Sequence, residues 1–311
     1  MKLPIRILVL CAILCLLAGC AVSDPPTEIP VSAPTVISTP APTSTPAPTP
    51  TPPPVPTPTS TPEPEPEPVT SLDAKIPILM YHHIVEDVSE TNGMTVTAAQ
   101  FRADMEWLID NGYSFVLPRD LIYGQELPEK PVMVSFDDGY RSNHELLFPI
   151  LRELDVKAVI ALIVSMPDHH HSTAFLSWEM CREMLDSGLV EFGSHTYNLH
   201  NLDNRGGMYT PGQANGIQRE SAETPEAFRG RVLLDIARSI EALERELGAE
   251  VLYFAYPFGE QEEWAAEFIR ENFRMTTLTA SGVSDMNEGF YGLRRYTITM
   301  QQHPDRFLPA E

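Results

Sequence analysis

Asp137 and Asp138 stand side by side after the apolar run Pro131-Val132-Met133-Val134, in the stretch SFDDGY. Like charges that close repel, and burying either one without a partner is costly. A second polar group lies downstream in GSHTYNLH, Gly193 to His200, where His195 and His200 are five residues apart in a loop. Two imidazoles and one carboxylate form a common catalytic metal set that leaves positions open for water and substrate. One aspartate can supply that carboxylate, and the cation's charge then offsets the cost of having two. The other is left to take a proton from the bound water, whose pKa zinc brings from about 15.7 towards about 7. Taken alone, two histidines in a loop also read as polar surface or helix caps.

These residues need a scaffold that brings them together. Strand-like apolar runs recur at Ile76–Tyr81, Tyr113–Leu117, Val132–Phe136, Ala158–Val164, Leu189–Gly193, Leu252–Tyr256, Met275–Leu278 and Tyr296–Thr299. Helical patterns lie between them at Thr97–Asn111, His144–Leu154, Trp178–Leu185, Phe228–Leu247 and Glu263–Asn272. Thr97 and Ser177 suit N-caps, and Gly112 and Gly188 suit helix ends. Uniformly apolar strands alternating with amphipathic helices imply an α/β fold with a parallel sheet covered by helices. The pattern alone leaves open doubly wound and closed barrel forms equally available. In either, the strand C-terminal ends face the active site. Tyr81-His82-His83, Asp137-Asp138, Ser194-His195 with His200, and Pro257-Phe258-Gly259 should therefore gather at one rim.

In this order, SFDDGY, SHTYNLH and YPFG resemble the motifs of the NodB-type polysaccharide deacetylases, carbohydrate esterase family four. The opening ILMYHHI and the His-x4-His spacing look like the poly-N-acetylglucosamine deacetylase branch. The resemblance implies a distorted (β/α) barrel of about seven parallel strands and metal-assisted hydrolysis of N-acetyl groups on a sugar polymer. It assigns Asp137 as general base, and Asp138, His195 and His200 as ligands of a divalent metal. Zinc comes first, and Co, Ni or Fe also suit that donor set. It makes His82 the acid that protonates the leaving amine, with His83 the weaker candidate. It puts the oxyanion donor in the Pro257-Phe258-Gly259 turn, with Tyr256 or Phe258 lining the pocket.

Two departures matter. Many family members place an arginine two residues before the proline of the third motif, paired with the base; here that position is Ala255, so either another cation takes over, with Arg294 and Arg295 the candidates, or the base is less rigidly held. The late Leu-x-His motif is absent, and His303 in MQQHPDRF is given no catalytic role. Alternative functions are an O-acetyl esterase on a polymer such as xylan, a catalytically weak carbohydrate-binding lipoprotein, and a metal-free glycosidase using Asp137 with a distant carboxylate.

The N-terminal part reads differently. Lys2 and Arg6 precede the apolar run Ile7–Leu17, which is short for a membrane span and suits a secretory signal. The LAGC ending resembles a bacterial lipobox, implying cleavage before Cys20 and a lipid on its sulfur. Residues 1–19 are thus expected to be a signal peptide, 20–74 a tether and 75–311 the catalytic domain. Of the 30 prolines, 18 fall between Asp24 and Thr70, a composition that buries no core and stays extended. At about 3.1 Å per residue the tether spans on the order of 100 Å. A lipid-anchored, extracytoplasmic location follows as an expectation. Cys181 alone lies outside the signal region, so no internal disulfide holds the domain. The formal net charge of −22 argues against nucleic acid and anionic membrane surfaces as partners. The remaining tempting features take bland readings: Asp168–His171 (DHHH) as a solvated loop, Trp107, Trp178 and Trp264 as packing, and Cys181 as a buried, inert thiol. Residues 201–226 form either a substrate-shaping loop or an insertion.

Overall fold

A computed structural model describes residues 67–167, 174–200, 217–219 and 223–310. The expected signal peptide, Cys20, most of the expected tether, Asp168–His171 and most of 201–226 lie outside the described residues.

The main sheet is built from β1 (Ile78–Tyr81), β2 (Pro131–Phe136), β3 (Ala158–Leu162), β4 (Val190–Ser194), β5 (Tyr253–Ala255), β6 (Met275–Thr277) and β7 (Tyr296–Thr297). Their spatial order is β6-β5-β4-β3-β2-β1-β7, every neighbouring pair parallel. The sheet curls without closing, a half-barrel. The short strand Ser114–Phe115 extends it beside the start of β2. The helices are α1 (Ala98–Asp110), α2 (Phe148–Leu154), α3 (Trp178–Asp186), α4 (Pro225–Leu247) and α5 (Glu263–Asn272). None of the described helices is long and apolar enough to cross a membrane.

Strand alternation sorts the core into two layers. Leu79, Tyr81, Val132, Val134, Phe136, Ile160 and Phe254 face the helices. Ile78, Met133, Val159, Ala161, Tyr253 and Ala255 fill the inner side of the half-barrel. Each fully buried Val, Ile or Leu side chain contributes about 1.5–3 kcal/mol, enough to hold the strands without a disulfide. Met80, Met105 and Met133 are buried as expected of gap-fillers, Trp178 is buried, and Trp264 packs edge-on against Phe228 at 5.0 Å. Cys181 is buried, and that burial pushes its thiol pKa up, away from nucleophilic use.

Helix caps follow the sequence. Thr97, Ser177 and Thr224 each accept a backbone N–H three residues on, and Gly248 ends α4 in the left-handed region. Two expectations are corrected. The helix expected over His144–Leu154 begins as a wider π-turn over Asn143–Leu147, which becomes regular only at Phe148. Pro149 has no N–H to close an α-turn onto Glu145, so the turn before it opens. The strand expected over Tyr113–Leu117 stops at Phe115, because Pro118 starts a short helix whose Asp120 accepts from Leu117 N–H at 2.9 Å. A small parallel pair, His83–Val85 with Thr95–Thr97, follows β1 and carries no apolar run long enough to be read beforehand.

Beneath the helix layer, Asp104 of α1 accepts from Tyr81 Oη (3.0 Å) and Gln100 Nε2 (2.7 Å), and His303 Nδ1 stands 3.3 Å from it. His303 thus lies against α1, where the C-terminal tail packs. Burial pushes the Asp104 carboxyl up to about 6, although Gln100, His303 and Tyr81 pull it down. Between its ordinary value and about 6, the folded chain holds a proton the unfolded chain has lost, so this group's contribution to stability falls as pH rises. Asp104→Asn removes that penalty. Thermal melts from about pH 4 to about pH 7 should show the variant gaining on wild type as pH rises; a constant difference would refute the assignment.

Candidate active site

Asp137 and Asp138 leave the C-terminal end of β2 and diverge at once. Asp137 N–H donates to Tyr81 O at 3.0 Å, continuing the sheet, while Asp138 turns into the left-handed region at φ 74°. Gly139 follows at φ 77°, a conformation that favours glycine, and a Cβ there would press on Leu162 Cδ2 at 2.4 Å. Two successive left-handed residues send the carboxylates to different partners.

Asp137 points into the half-barrel and meets Arg295. The guanidinium donates from Nη1 to Oδ1 and from Nη2 to Oδ2, each at 2.7 Å, and Arg295 is fully buried. Arg295 also donates from Nε to Leu278 O at 2.8 Å and lies 3.4 Å from Tyr253 Oη, so its planar fork is held on several sides. Burial pushes the Asp137 carboxyl up, but Arg295, helped by His195 and His82, more than reverses this and keeps it below the ordinary carboxylate value. Of the two arginines named from sequence, Arg295 takes this place. Arg294 faces outwards and donates from Nη1 to Ser281 O at 3.1 Å. Ala255 is fully buried on the inner side, so the position holds no cation of its own.

Asp138 faces the histidines. His200 Nε2 stands 3.2 Å and His195 Nε2 3.6 Å from Asp138 Oδ1. One donor atom from each of the three lies within 4.8 Å of the others. His195 Nδ1 donates to Ala255 O at 2.7 Å, which fixes the tautomer and presents Nε2 as a lone-pair donor. Asp138 Oδ1 is buried and accepts no hydrogen bond of good geometry among the described residues. An orphaned carboxylate oxygen beside two imidazole nitrogens fits a divalent cation. Burial opposes ionisation of Asp138, but His200, then His82 and His195, overcome it, and it titrates well below the ordinary value. Burial lowers His195 to about 4, which favours the neutral, ligating form.

His82 follows β1 at the same rim, half-buried, near enough to lower the pKa of both aspartates. Its Nδ1 is buried without a hydrogen-bond partner among the described residues. Asn143 Nδ2 donates to His82 O at 3.1 Å and pins its backbone. His83 points instead to Tyr140, stacking at 4.6 Å, and Tyr140 stacks on Phe175 at 5.3 Å. From the opposite side, Phe258 lies 4.7 Å from the His200 ring at φ 57°. Gly259 next to it has φ 72° and backs onto Thr279, where a Cβ would stand 2.2 Å from Oγ1. Tyr256 departs from expectation: it is buried in the helix-side core, edge-on to Phe254 at 5.0 Å, so Phe258 and not Tyr256 borders the histidines. Strand alternation explains it: the Ala255 side chain fills the inner side, so that of Tyr256 turns to the helices.

A family model described as polysaccharide deacetylase matches residues 124–272. YxkH of Bacillus subtilis, whose name places it among the polysaccharide deacetylases, is 30% identical over 235 residues, covering 74% of each chain. The chain belongs to the polysaccharide deacetylase family. Poly-beta-1,6-N-acetyl-D-glucosamine N-deacetylase of Escherichia coli is 28% identical over 232 residues, 68% of this chain and 34% of that longer relative. The structure of a de-N-acetylase from Aggregatibacter actinomycetemcomitans superposes with TM-score 0.63 at 25% identity, covering 74% of this deacetylase and 97% of that chain. IcaB from Ammonifex degensii gives 0.61 at 25%, covering 73% and 93%. The half-barrel is the NodB-like deacetylase fold.

Arg295→Met in this deacetylase strands Asp137 as an uncompensated buried charge, so denaturant unfolding should show a loss of about 3–5 kcal/mol. A change within error would mean that the pair contributes nothing to the fold. An arginine added at position 255 should not help, because the inner side there is filled and Asp137 already has its fork.

Proposed function

We propose that this protein is a metal-dependent N-deacetylase of N-acetylglucosamine-containing polysaccharide, either an exopolysaccharide or peptidoglycan. The observation that carries this reading is the Asp138–His195–His200 cluster beside an Asp137 clamped by Arg295. Supporting it are the relatives named for N-deacetylation of poly-N-acetylglucosamine. The N-terminal sequence adds the proposal that the enzyme works outside the cytoplasm, tethered to the membrane through Cys20.

Asp138, His195 and His200 would hold the divalent cation, zinc first among the candidates. When bound, it supplies Lewis acidity, lowering the pKa of water and polarising the acetyl carbonyl. Asp137 acts as the base. Its two oxygens each spend one lone pair on Arg295, and each retains another to accept a proton from water. Arg295 keeps that carboxylate ionised and fixes its direction. The proton goes to Asp137, the water oxygen adds to the acetyl carbon, and the C–N bond breaks as His82 gives a proton to the leaving nitrogen. The products are acetate and a free amino sugar. The Pro257-Phe258-Gly259 turn is assigned to the carbonyl oxygen, as the family resemblance implies.

Acetate release should be followed on N-acetylglucosamine oligomers, peptidoglycan fragments and acetylated xylan, before and after chelation and on adding metal back. Release from the amino sugars should vanish with chelator, return with metal, and fall about 10²–10⁴-fold in Asp137→Asn. Release that ignores chelator would overturn the metal reading. An amine leaves far less readily than an alcohol without protonation, so His82→Ala should lose more activity on an amide than on an acetate ester. Equal losses would remove His82 from the acid role.

A further inference from the structure

The loop that carries the two histidines is held by a carboxylate that takes no part in the chemistry above. Asp235, on α4, is buried, and accepts from Tyr197 N–H at Oδ1 and from Asn198 N–H at Oδ2, each at 2.8 Å. These are consecutive amides in the middle of the His195–His200 span. The loop they belong to is strained. Thr196, a β-branched residue, sits at φ 74°, a conformation that costs such a residue on the order of 1–3 kcal/mol and persists only when its surroundings enforce it.

The surroundings do so from every side. Ser194 Oγ accepts from Thr196 N–H at 3.1 Å, and Thr196 Oγ1 accepts from Leu199 N–H at 3.0 Å. Val164 N–H and Ser165 N–H donate to the carbonyls of Thr196 and Tyr197 at 3.0 and 2.9 Å. Ser194 Oγ donates in turn to Ser239 Oγ at 3.0 Å, one turn beyond Asp235 on α4. Helix α4 therefore grips the loop at both its start and its middle. Together with the Thr196–Leu199 bond, that grip holds the turn in which His200 folds back until its Nε2 stands beside the carboxylate that His195 also meets.

From this geometry we infer that Asp235 is a positioning residue for the metal centre: by bridging two consecutive amides it sets the separation of His195 and His200, and so the affinity for the cation. The inference rests on the metal reading of the site. Asparagine keeps one acceptor but turns an NH2 group towards the second amide, so Asp235→Asn breaks the bridge while nearly preserving volume.

The test is the dissociation constant of the purified, metal-stripped protein for Zn²⁺ and for Co²⁺, by calorimetry and by the visible absorption of the cobalt form. Asp235→Asn should bind about 10–100-fold more weakly, with an altered cobalt spectrum. Asp104→Asn, which removes a buried carboxylate on a different helix, is the control: its melting temperature is free to move, but its dissociation constants should stay within about twofold of wild type. Wild-type affinity and spectrum in Asp235→Asn would overturn the inference while leaving the metal centre standing. Absence of saturable binding in wild type would instead overturn the metal reading, and the inference with it. If Asp235→Asn does not fold, Ser239→Ala removes a milder part of the same support, and an unchanged dissociation constant there counts against the inference.

Discussion

Asp137 and Asp138 are adjacent in the chain and nearly fully buried, and in a medium of low effective dielectric both cannot ionise unless each has its own counter-charge. The backbone turn between them makes that possible. With Asp138 and Gly139 in the left-handed region, one carboxylate points into the half-barrel and the other towards the rim. Arg295 neutralises the first, and the imidazoles of His195 and His200 gather around the second. The two carboxylates are thereby given different electrostatic environments within one dipeptide, which is how two identical side chains can take different roles.

The half-barrel is shaped to meet this demand. Its inner side is largely apolar towards the bottom, yet Ser135, Tyr253, Thr277 and Arg295 place polar atoms under the rim. Tyr253 Oη and Thr277 Oγ1 stand 2.7 Å apart, and Ser135 Oγ donates to Leu79 O. A buried guanidinium is tolerable only because its donors find acceptors in this layer. Arg295, outside β5, reaches Asp137 with both guanidinium nitrogens, because what the carboxylate needs is a fork of the right direction, whichever segment supplies it.

The helix side solves a different problem. Asp104 and Asp235 are both buried carboxylates on helices, and both hold something irregular in place: the C-terminal tail in one case, the histidine loop in the other. Each accepts several donors, and burial still pushes each up to about 6. Such groups stabilise less than apolar residues of the same volume would, but they specify where a loop must sit.

Much of this was legible from local patterns. Apolar runs and helical periodicity located the strands of the main sheet, because burial on both faces leaves a continuous signature. The carboxylate pair, the His-x4-His spacing and the YPFG turn marked the rim, because strand ends carry polar residues only where something there uses them. Ala255, standing where the family resemblance implies an arginine, pointed to Arg294 and Arg295 as candidate replacements. What the chain alone could not decide was parity and distance. Arg294 and Arg295 differ only in which face of an extended segment each occupies, and that depends on the register of β7 on β1. The same rule turned Tyr256 into the core and left Phe258 at the histidines. Asp235 looked like any acidic residue on an amphipathic helix; its two amides lie 38 and 37 residues away, joined to it only by the packing of α4 against β4. Residue types and spacing carry the chemistry a chain can attempt, while counter-charges and supports drawn from distant segments exist only once the sheet has brought those segments together.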